Sequence, residues 1–565
     1  MVVPELRPWR AARPHVARFA DTVRPRLART AAAVRPRLAR LRPRRPAGGA
    51  TAAGPWITRS VARPGTWPGT WRFTVVAATA GTVLAAGAVT AAGPWDATGQ
   101  RTAEQDRAVA LEATRGADHG GTRGNAGTPP RGSRTAPSAP SVLTGLGGGA
   151  TTVKSAPGGK ALSGTLAPLL RIPAFGDRSA SVVDVSTGRS LYADSPADAL
   201  TPASTTKIAT AAAALTALGP DHRLTTRATY EPDTKEVILV GGGDPTLTAR
   251  KDRKDRKDRK DRKDRENREN REKETTGSAS LRDLAARTAA ALAERGVREV
   301  TLSYDTTLYP GGQRHPIGVN PNIALITPLM ADEARTDDSV SGPADRVPDP
   351  AADAAGKFGA LLKEHGIKAT PPGPSKSTAR AGTLATVSSP PLATLVERML
   401  THSDNDLAEA LARQTAIATG RRADFAGAAA AVRTQLQKLG VPLKGTAFKD
   451  ASGLDRKNRL TTGLLTALLV KSGDPAHPEL RPVLTGLPVA GFTGTLTGRY
   501  ADGAAGVVRA KTGTLTGVNA LAGTVVDREG RLLAFAFLAT GTTDPTAAQA
   551  ALDKAATALA ACGCR

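Results

Sequence analysis

Cysteine is nearly missing from this chain of 565 residues: only Cys562 and Cys564 occur, both among the last four positions. A lone Cys-x-Cys has no second pair of ligands for a structural zinc, and its place at the chain end puts it outside the expected core. It reads as a frayed tail or a strained local disulfide, and no catalysis rests on it. Aromatic residues are scarce too, at 3%, which argues against the stacking platforms that hold single-stranded nucleic acid. Basic charge looks plentiful at +26, but it is unevenly placed. Residues 1–72 hold sixteen arginines against Glu5 and Asp21, a net +14, residues 94–165 add +3, and Arg250–Glu274 adds +5. That leaves +4 for everything else, so the globular part is nearly neutral and offers no basic groove; no nucleic-acid partner is expected.

What is present falls into segments. Residues 1–72 repeat "VRPRLAR" at Val23 and Val34; Arg-Pro repeats break helices and their charges repel, so this stretch reads as a disordered basic tail. Residues 73–93 carry no charge over a length that spans a bilayer, and the arginines before them orient the tail inward. The expectation is a single-pass signal-anchor with everything after Gly93 outside the cell membrane, or secreted if the anchor is cleaved. Residues 94–165, rich in Gly, Pro, Ser and Thr, read as a linker.

Ordered patterning is expected from Leu166. "SASVVDV" and "RSLYAD" form a hairpin pattern, three strand patterns fill Gly506–Ala539, and a last helix is expected over Pro545–Ala561. Strands at both ends with helices between imply an α+β fold, one antiparallel sheet flanked by helices. Five Lys-Asp-Arg copies followed by two Glu-Asn-Arg copies make a tract at 250–274 that has no apolar residue to join a core.

Chemistry enters at "TPASTTKIATAAAAL", where Ser204 and Lys207 lie one helical turn apart. Serine is a poor nucleophile until a base takes its proton, and lysine becomes that base only when burial or nearby cations lower its pKa. A Ser204 in the first helical turn, after Pro202, also meets free backbone N–H groups suited to an oxyanion. Alone, Ser-x-x-Lys arises by chance in many chains. "HSDND" then supplies Ser403 and Asn405, and "RAKTGTL" supplies Lys511, Thr512 and Gly513. Each has a plain reading: Ser403 could cap the helix that follows, and Lys-Thr-Gly could be a strand end. In this order, however, the three form the signature set of penicillin-recognising serine acyl enzymes.

The chain resembles the class C low-molecular-mass penicillin-binding proteins, the D-alanyl-D-alanine carboxypeptidase/endopeptidase family. The likeness extends to "GGGDPTL" (241–247), "SDNDLAEAL" (403–411), "DASGLDRKNRLT" (450–461) and "LPVAGFTGTL" (487–496). It implies a β-lactamase/transpeptidase-like catalytic domain at 166–230 and 385–565, with a smaller accessory region inserted at 231–384. It implies that Ser204 attacks the penultimate D-alanine carbonyl of a peptidoglycan stem peptide and that Lys207 is the base. Ser403 would relay a proton to the leaving amine, and Asn405 would orient Lys207. Lys511 and Thr512 would receive the terminal carboxylate, Gly513 would let the strand approach the ligand, and Ser204 and Thr514 would supply oxyanion N–H groups. β-Lactams would act as inhibitors, and neither a metal nor a cofactor is called for, since no His/Cys/carboxylate cluster stands out.

Two departures stand beside the likeness. Ser204 and Ser403 are 199 positions apart, short for this family, so one accessory domain is expected to be reduced or absent. The charged tract is expected to loop out harmlessly. A β-lactamase shares the motifs, but no glutamate occurs between Glu409 and Glu479 to serve as its deacylating base. A non-catalytic penicillin-binding cell-wall protein is the remaining alternative, which the intact set of reacting side chains does not favour.

Overall fold

The computed structural model describes residues 159–250, 277–500 and 503–563. The basic tail, the span expected at 73–93, most of the expected linker and nearly all of the charged tract lie outside the described residues. Among the described residues, no helix is long and apolar enough to cross a membrane.

The first element is one the composition concealed. Gly159–Leu170 is a helix (α1), although much of it falls in the stretch expected to be linker. Leu162, Leu166 and Leu170 recur every fourth residue, share one face and are all buried. Strands β1 (Asp177–Asp184) and β2 (Ser190–Asp194) form the expected hairpin. After β3 (Ala199–Leu200), a 3-10 turn (Ala203–Thr205) leads into α2 (Thr206–Leu218). The inserted body then runs through β4 (Thr225–Glu231), β5 (Glu236–Val240), α3 (Leu281–Glu294), β6 (Glu299–Asp305), α4 (Pro350–Glu364), β7 (Lys368–Ala369), β8 (Gly373–Pro374) and β9 (Gly382–Ser388). The chain returns in α5 (Leu392–His402), α6 (Asn405–Ala418), α7 (Phe425–Lys438), β10 (Leu460–Thr461), α8 (Thr462–Gly473) and α9 (Arg481–Thr485). The hairpins β11 (Val508–Leu515), β12 (Val518–Val526) and β13 (Leu532–Thr540), with α10 (Pro545–Ala560), complete the domain.

The catalytic sheet is antiparallel throughout, in the order β11-β12-β13-β1-β2. Its two faces differ by the two-residue period of the strand. Ala520, Ala522, Ala534, Ala536 and Leu538 face the helices α2 and α5–α9. Leu521, Val525, Leu533, Phe535 and Phe537 face α1 and α10. Small residues on the first face admit α2, whose Ala209 and Ala211–Ala214 are themselves fully buried; alanine keeps neighbouring helix axes close at no cost in helix propensity. Cys562 also lies in the second core, buried where a place outside the core was expected, and it is disulfide-bonded, which agrees with the disulfide reading and not with a frayed tail.

The insert folds on a separate mixed sheet, β7-β6-β5-β4-β9 with β8 beside β6, covered by α3 and α4. The expected junctions at 231 and 384 cut through β4 and β9, yet both strands are bonded into the insert's sheet, which therefore runs from Thr225 to Ser388. The flanks of the charged tract are tied together. Thr248 N–H donates to the Ala279 carbonyl and the Thr248 carbonyl accepts from Leu281 N–H, each at 2.8 Å. Residues 306–349 contain no α-helix or strand, and they run back to the catalytic face.

Candidate active site

Ser204 sits in the 3-10 turn that precedes α2, one step before the helix proper. The residue before it, Ala203, has φ of 46°, in the left-handed region that non-glycine residues rarely adopt. Two neighbours hold that turn by close approach. A Cβ on Gly513 would come within 2.7 Å of the Pro202 carbonyl oxygen, and one on Gly453 within 1.9 Å of the Ala203 carbonyl oxygen. Gly513 thus lets β11 lie against the backbone of the turn that carries Ser204, in addition to the ligand approach expected of that glycine.

Lys207 is fully buried beneath Ser204. Its Nζ lies 3.2 Å from Ser204 Oγ, 2.6 Å from Asn405 Oδ1 and 2.7 Å from the Ser452 carbonyl oxygen. Asn405 cannot turn away, because its Nδ2 donates to the Asn322 carbonyl at 2.9 Å. Burial brings the Lys207 pKa down to about 8, against the pull of Asp450, Asp404, Glu409 and Asp406. Lys511 is buried as well, and burial together with the Lys207 charge holds its pKa well below the usual lysine value. Its Nζ donates to the Thr512 carbonyl at 2.9 Å.

Ser403 does not cap α6; Asp404 does, accepting from Leu407 N–H at 3.0 Å. Ser403 is instead the left-handed residue, φ 59°, that ends α5. Among the described residues its hydroxyl bonds neither lysine. It lines a cavity of about 430 Å³ together with Ser204, Asn405, Thr512 and Thr514. Five of the eight residues expected at the site thus line this cavity, and Lys207, Lys511 and Gly513 stand next to them in α2 and β11. β11 is the edge strand of its sheet. Ala490 N–H and the Pro488 carbonyl pair with Val508 and Ala510 on its outer side, leaving that side open from Lys511 onward. By the strand's two-residue period, the N–H groups of Thr512 and Thr514 face the same open edge.

Other groups carry no such motif. The insert brings Arg335 and Arg346 to the cavity, and Arg346 pairs with Asp406 at 3.2 Å. Glu333, on a run of three left-handed residues (Asp332, Glu333, Ala334), takes Arg398 at 2.6 Å and Arg335 at 2.8 Å. Although burial opposes its charge, these guanidiniums hold Glu333 at about 2. Its neighbour Asp404 is pushed well above the usual carboxylate range by burial and by Glu333.

Folding also gathers two groups that could in principle hold a cation, His315/Glu409/Asp450 and Glu333/Asp404/Asp406, which the sequence spacing hides. Arg398, Arg335 and Arg346 already neutralise the second. Asp450 accepts hydrogen bonds on both oxygens, and Glu409 Oε1 accepts two backbone N–H groups. Of these oxygens only Glu409 Oε2 has no hydrogen-bond partner among the described residues, and with His315 Nε2 already bonded to Asp450 the first cluster offers a metal little free coordination.

A family model described as the D-Ala-D-Ala carboxypeptidase 3 (S13) family matches residues 162–341 and 334–561. The chain belongs to that family. This S13 chain is 36% identical over 419 residues to carboxypeptidase DacB of Mycolicibacterium smegmatis, covering 72% of this chain and 85% of that one. Its fold is similar to penicillin binding protein 4 (dacB) of Haemophilus influenzae, with a TM-score of 0.54 and 20% identity over 71% of this chain and 98% of that one. A structure of the same Haemophilus protein complexed with a β-lactam gives a TM-score of 0.51 and 21% identity, with the same coverage. The S13 match begins within α1 and ends at the close of α10, so it spans the sheet, the insert and every site residue above.

Proposed function

We propose that this S13 protein is a serine D-alanyl-D-alanine carboxypeptidase that trims peptidoglycan stem peptides through an acyl-enzyme. The observation that carries the reading is the desolvated Lys207 amine 3.2 Å from Ser204 Oγ. A stem peptide lies along the open edge of β11, as a strand adds to a sheet, with its terminal carboxylate received at Lys511 and Thr512. Neutral Lys207 takes the Ser204 proton as Oγ attacks the penultimate carbonyl. Ser204 and Thr514 N–H groups receive the oxyanion. The C–N bond then breaks, Ser403 relays a proton to the departing D-alanine amine, and water releases the shortened peptide from Ser204. The same steps cleave D-alanyl cross-links when the leaving amine belongs to a second peptide. A β-lactam acylates Ser204 equally, but its leaving nitrogen stays tethered in the opened ring, which favours a long-lived adduct. Residues 73–93 would hold this domain outside the cell membrane on the linker, as the arginines before them indicate.

The test uses the full chain with a fluorescent penicillin and with a pentapeptide ending in D-Ala-D-Ala. Covalent label on the wild type and none on Ser204→Ala is expected, with D-alanine release falling by roughly a thousandfold or more in the variant. An unlabelled wild type would refute the acyl-enzyme. Label without D-alanine release would leave only a penicillin binder.

A further inference from the structure

Behind Lys207 lies a buried group that none of the three motifs contains. His315 comes from the insert's return segment, Glu409 from α6, and Asp450 from the loop before β10. His315 Nε2 is 3.0 Å from Asp450 Oδ2 and 4.0 Å from Glu409 Oε1. Asp450 also accepts from Gly453 N–H at 2.8 Å, Asp455 N–H at 2.6 Å, Asn458 Nδ2 at 2.6 Å and the Ser452 hydroxyl at 3.2 Å. Glu409 Oε1 accepts from the N–H groups of Ala451 and Ser452 at 3.0 and 2.9 Å. Together these bonds fix the turn Asp450–Gly453. Its Ser452 carbonyl is the one that takes Lys207 Nζ, and its Ala451 carbonyl takes the Thr210 hydroxyl of α2 at 2.7 Å.

The placement of the imidazole proton follows from its other nitrogen. Nδ1 stands 3.3 Å from Ile317 N–H, an acceptor's position, so in the neutral ring Nε2 carries the proton and donates to Asp450. Burial opposes a charge on this ring, while Asp450, Glu409 and Asp455 favour it and raise its pKa. The Nε2–H donor is present in both states. Phe425 packs edge-on against the ring at 5.3 Å.

We propose that His315 is a positioning residue for acylation: its Nε2–H holds Asp450, and through the Asp450–Gly453 turn it sets the Ser452 carbonyl and the carboxylate charge that Lys207 meets. The inference rests on Lys207 acting as the base. The titratable groups that face Lys207 are Asp450, Asp404, Glu409, Asp406 and Lys511. Without the imidazole donor, more of the Asp450 charge acts on Lys207, the ammonium persists to higher pH, and acylation requires a more alkaline medium. Arg413, buried beside Glu409 and stacked 4.4 Å from the Phe425 ring, is untouched by the change.

The test follows labelling of the full chain by a fluorescent penicillin between about pH 6 and pH 10, the range around a lowered lysine pKa. In His315→Leu the acid limb is expected to move up by about one pH unit, with about a tenfold slower reaction at neutral pH. His315→Gln, whose amide can donate from nearly the Nε2 position, is expected to restore most of the shift. Phe425→Leu removes packing but no hydrogen bond, so it is expected to lower the melting temperature and leave the limb in place. Should His315→Leu fail to fold, His315→Asn, whose shorter amide does not reach Asp450, takes its role. A limb that stays put without the donor, or that moves equally in the Gln and Leu variants, overturns the proposal. An unlabelled wild type would overturn the acyl-enzyme reading instead, so the two failures are distinct.

Discussion

Ser204 and Lys207 are three residues apart in the sequence, but the proposed chemistry of the pair depends on groups elsewhere in the chain. The amine is stripped of water by α2's burial and pinned by Asn405 and Ser452. With a pKa of about 8, only about a tenth of Lys207 is neutral at pH 7. A base must be neutral to act, so the acylation rate should rise close to tenfold per pH unit below 8 and level off above it. A stopped-flow pH series checks this, and a flat profile between about pH 6 and 8 would show that a different group takes the proton. The Asn405 side chain offers a sharper probe. Asn405→Asp puts a carboxylate where Oδ1 now meets Nζ at 2.6 Å; an adjacent anion favours the ammonium, so the limb should move to higher pH by at least about one unit. These roles could be read at the motifs, whereas the Ser452 carbonyl and Asn322 carbonyl could not, because backbone oxygens carry no residue signature.

At the scale of elements, the site is a meeting of three pieces: the turn before α2, the α5–α6 elbow, and the edge strand β11. Gly513 lets β11 touch the first, with the Pro202 oxygen at 2.7 Å and the Ala203 methyl at 3.2 Å from where a Cβ would sit. Gly513→Ala should therefore push the strand off the Ser204 turn, at a cost of about 1–3 kcal/mol in stability. Labelling should slow by more than the melting shift alone explains; normal labelling at a lowered melting temperature would show that the strand's approach does not matter to the chemistry. The strands and the last helix were legible because alternation and caps are local signals. The helix α1 was not, since Gly, Ser and Pro168 hide a leucine face repeating every fourth residue. The left-handed run Asp332–Ala334 was equally invisible, because an aspartate visits that region only singly and Glu and Ala give no local hint of positive φ.

The whole molecule joins an antiparallel catalytic sheet to an inserted mixed sheet whose return segment, 306–349, reaches the site with His315, Asn322, Glu333, Arg335 and Arg346. The charged tract leaves this insert at Arg250 and comes back by Gly277, beside the paired Thr248 and Ser280. Replacing residues 251–276 with a short Gly-Ser link should leave labelling unchanged and the melting temperature equal or slightly higher, since each halving of loop length recovers about 0.6 kcal/mol. A fall of several degrees, or lost labelling, would give the tract a structural part in the domain. The sequence by itself determined the three ordered motifs, the antiparallel sheet and the position of the tract, because motif order, alternation and charge runs are properties of neighbouring residues. Only the tertiary structure decided which glycine touches which backbone and which buried carboxylates face Lys207. It also decided that an insert residue, His315, stands behind Lys207. Desolvation and Coulomb interaction act through space, and the groups that supply them here are far apart along the chain.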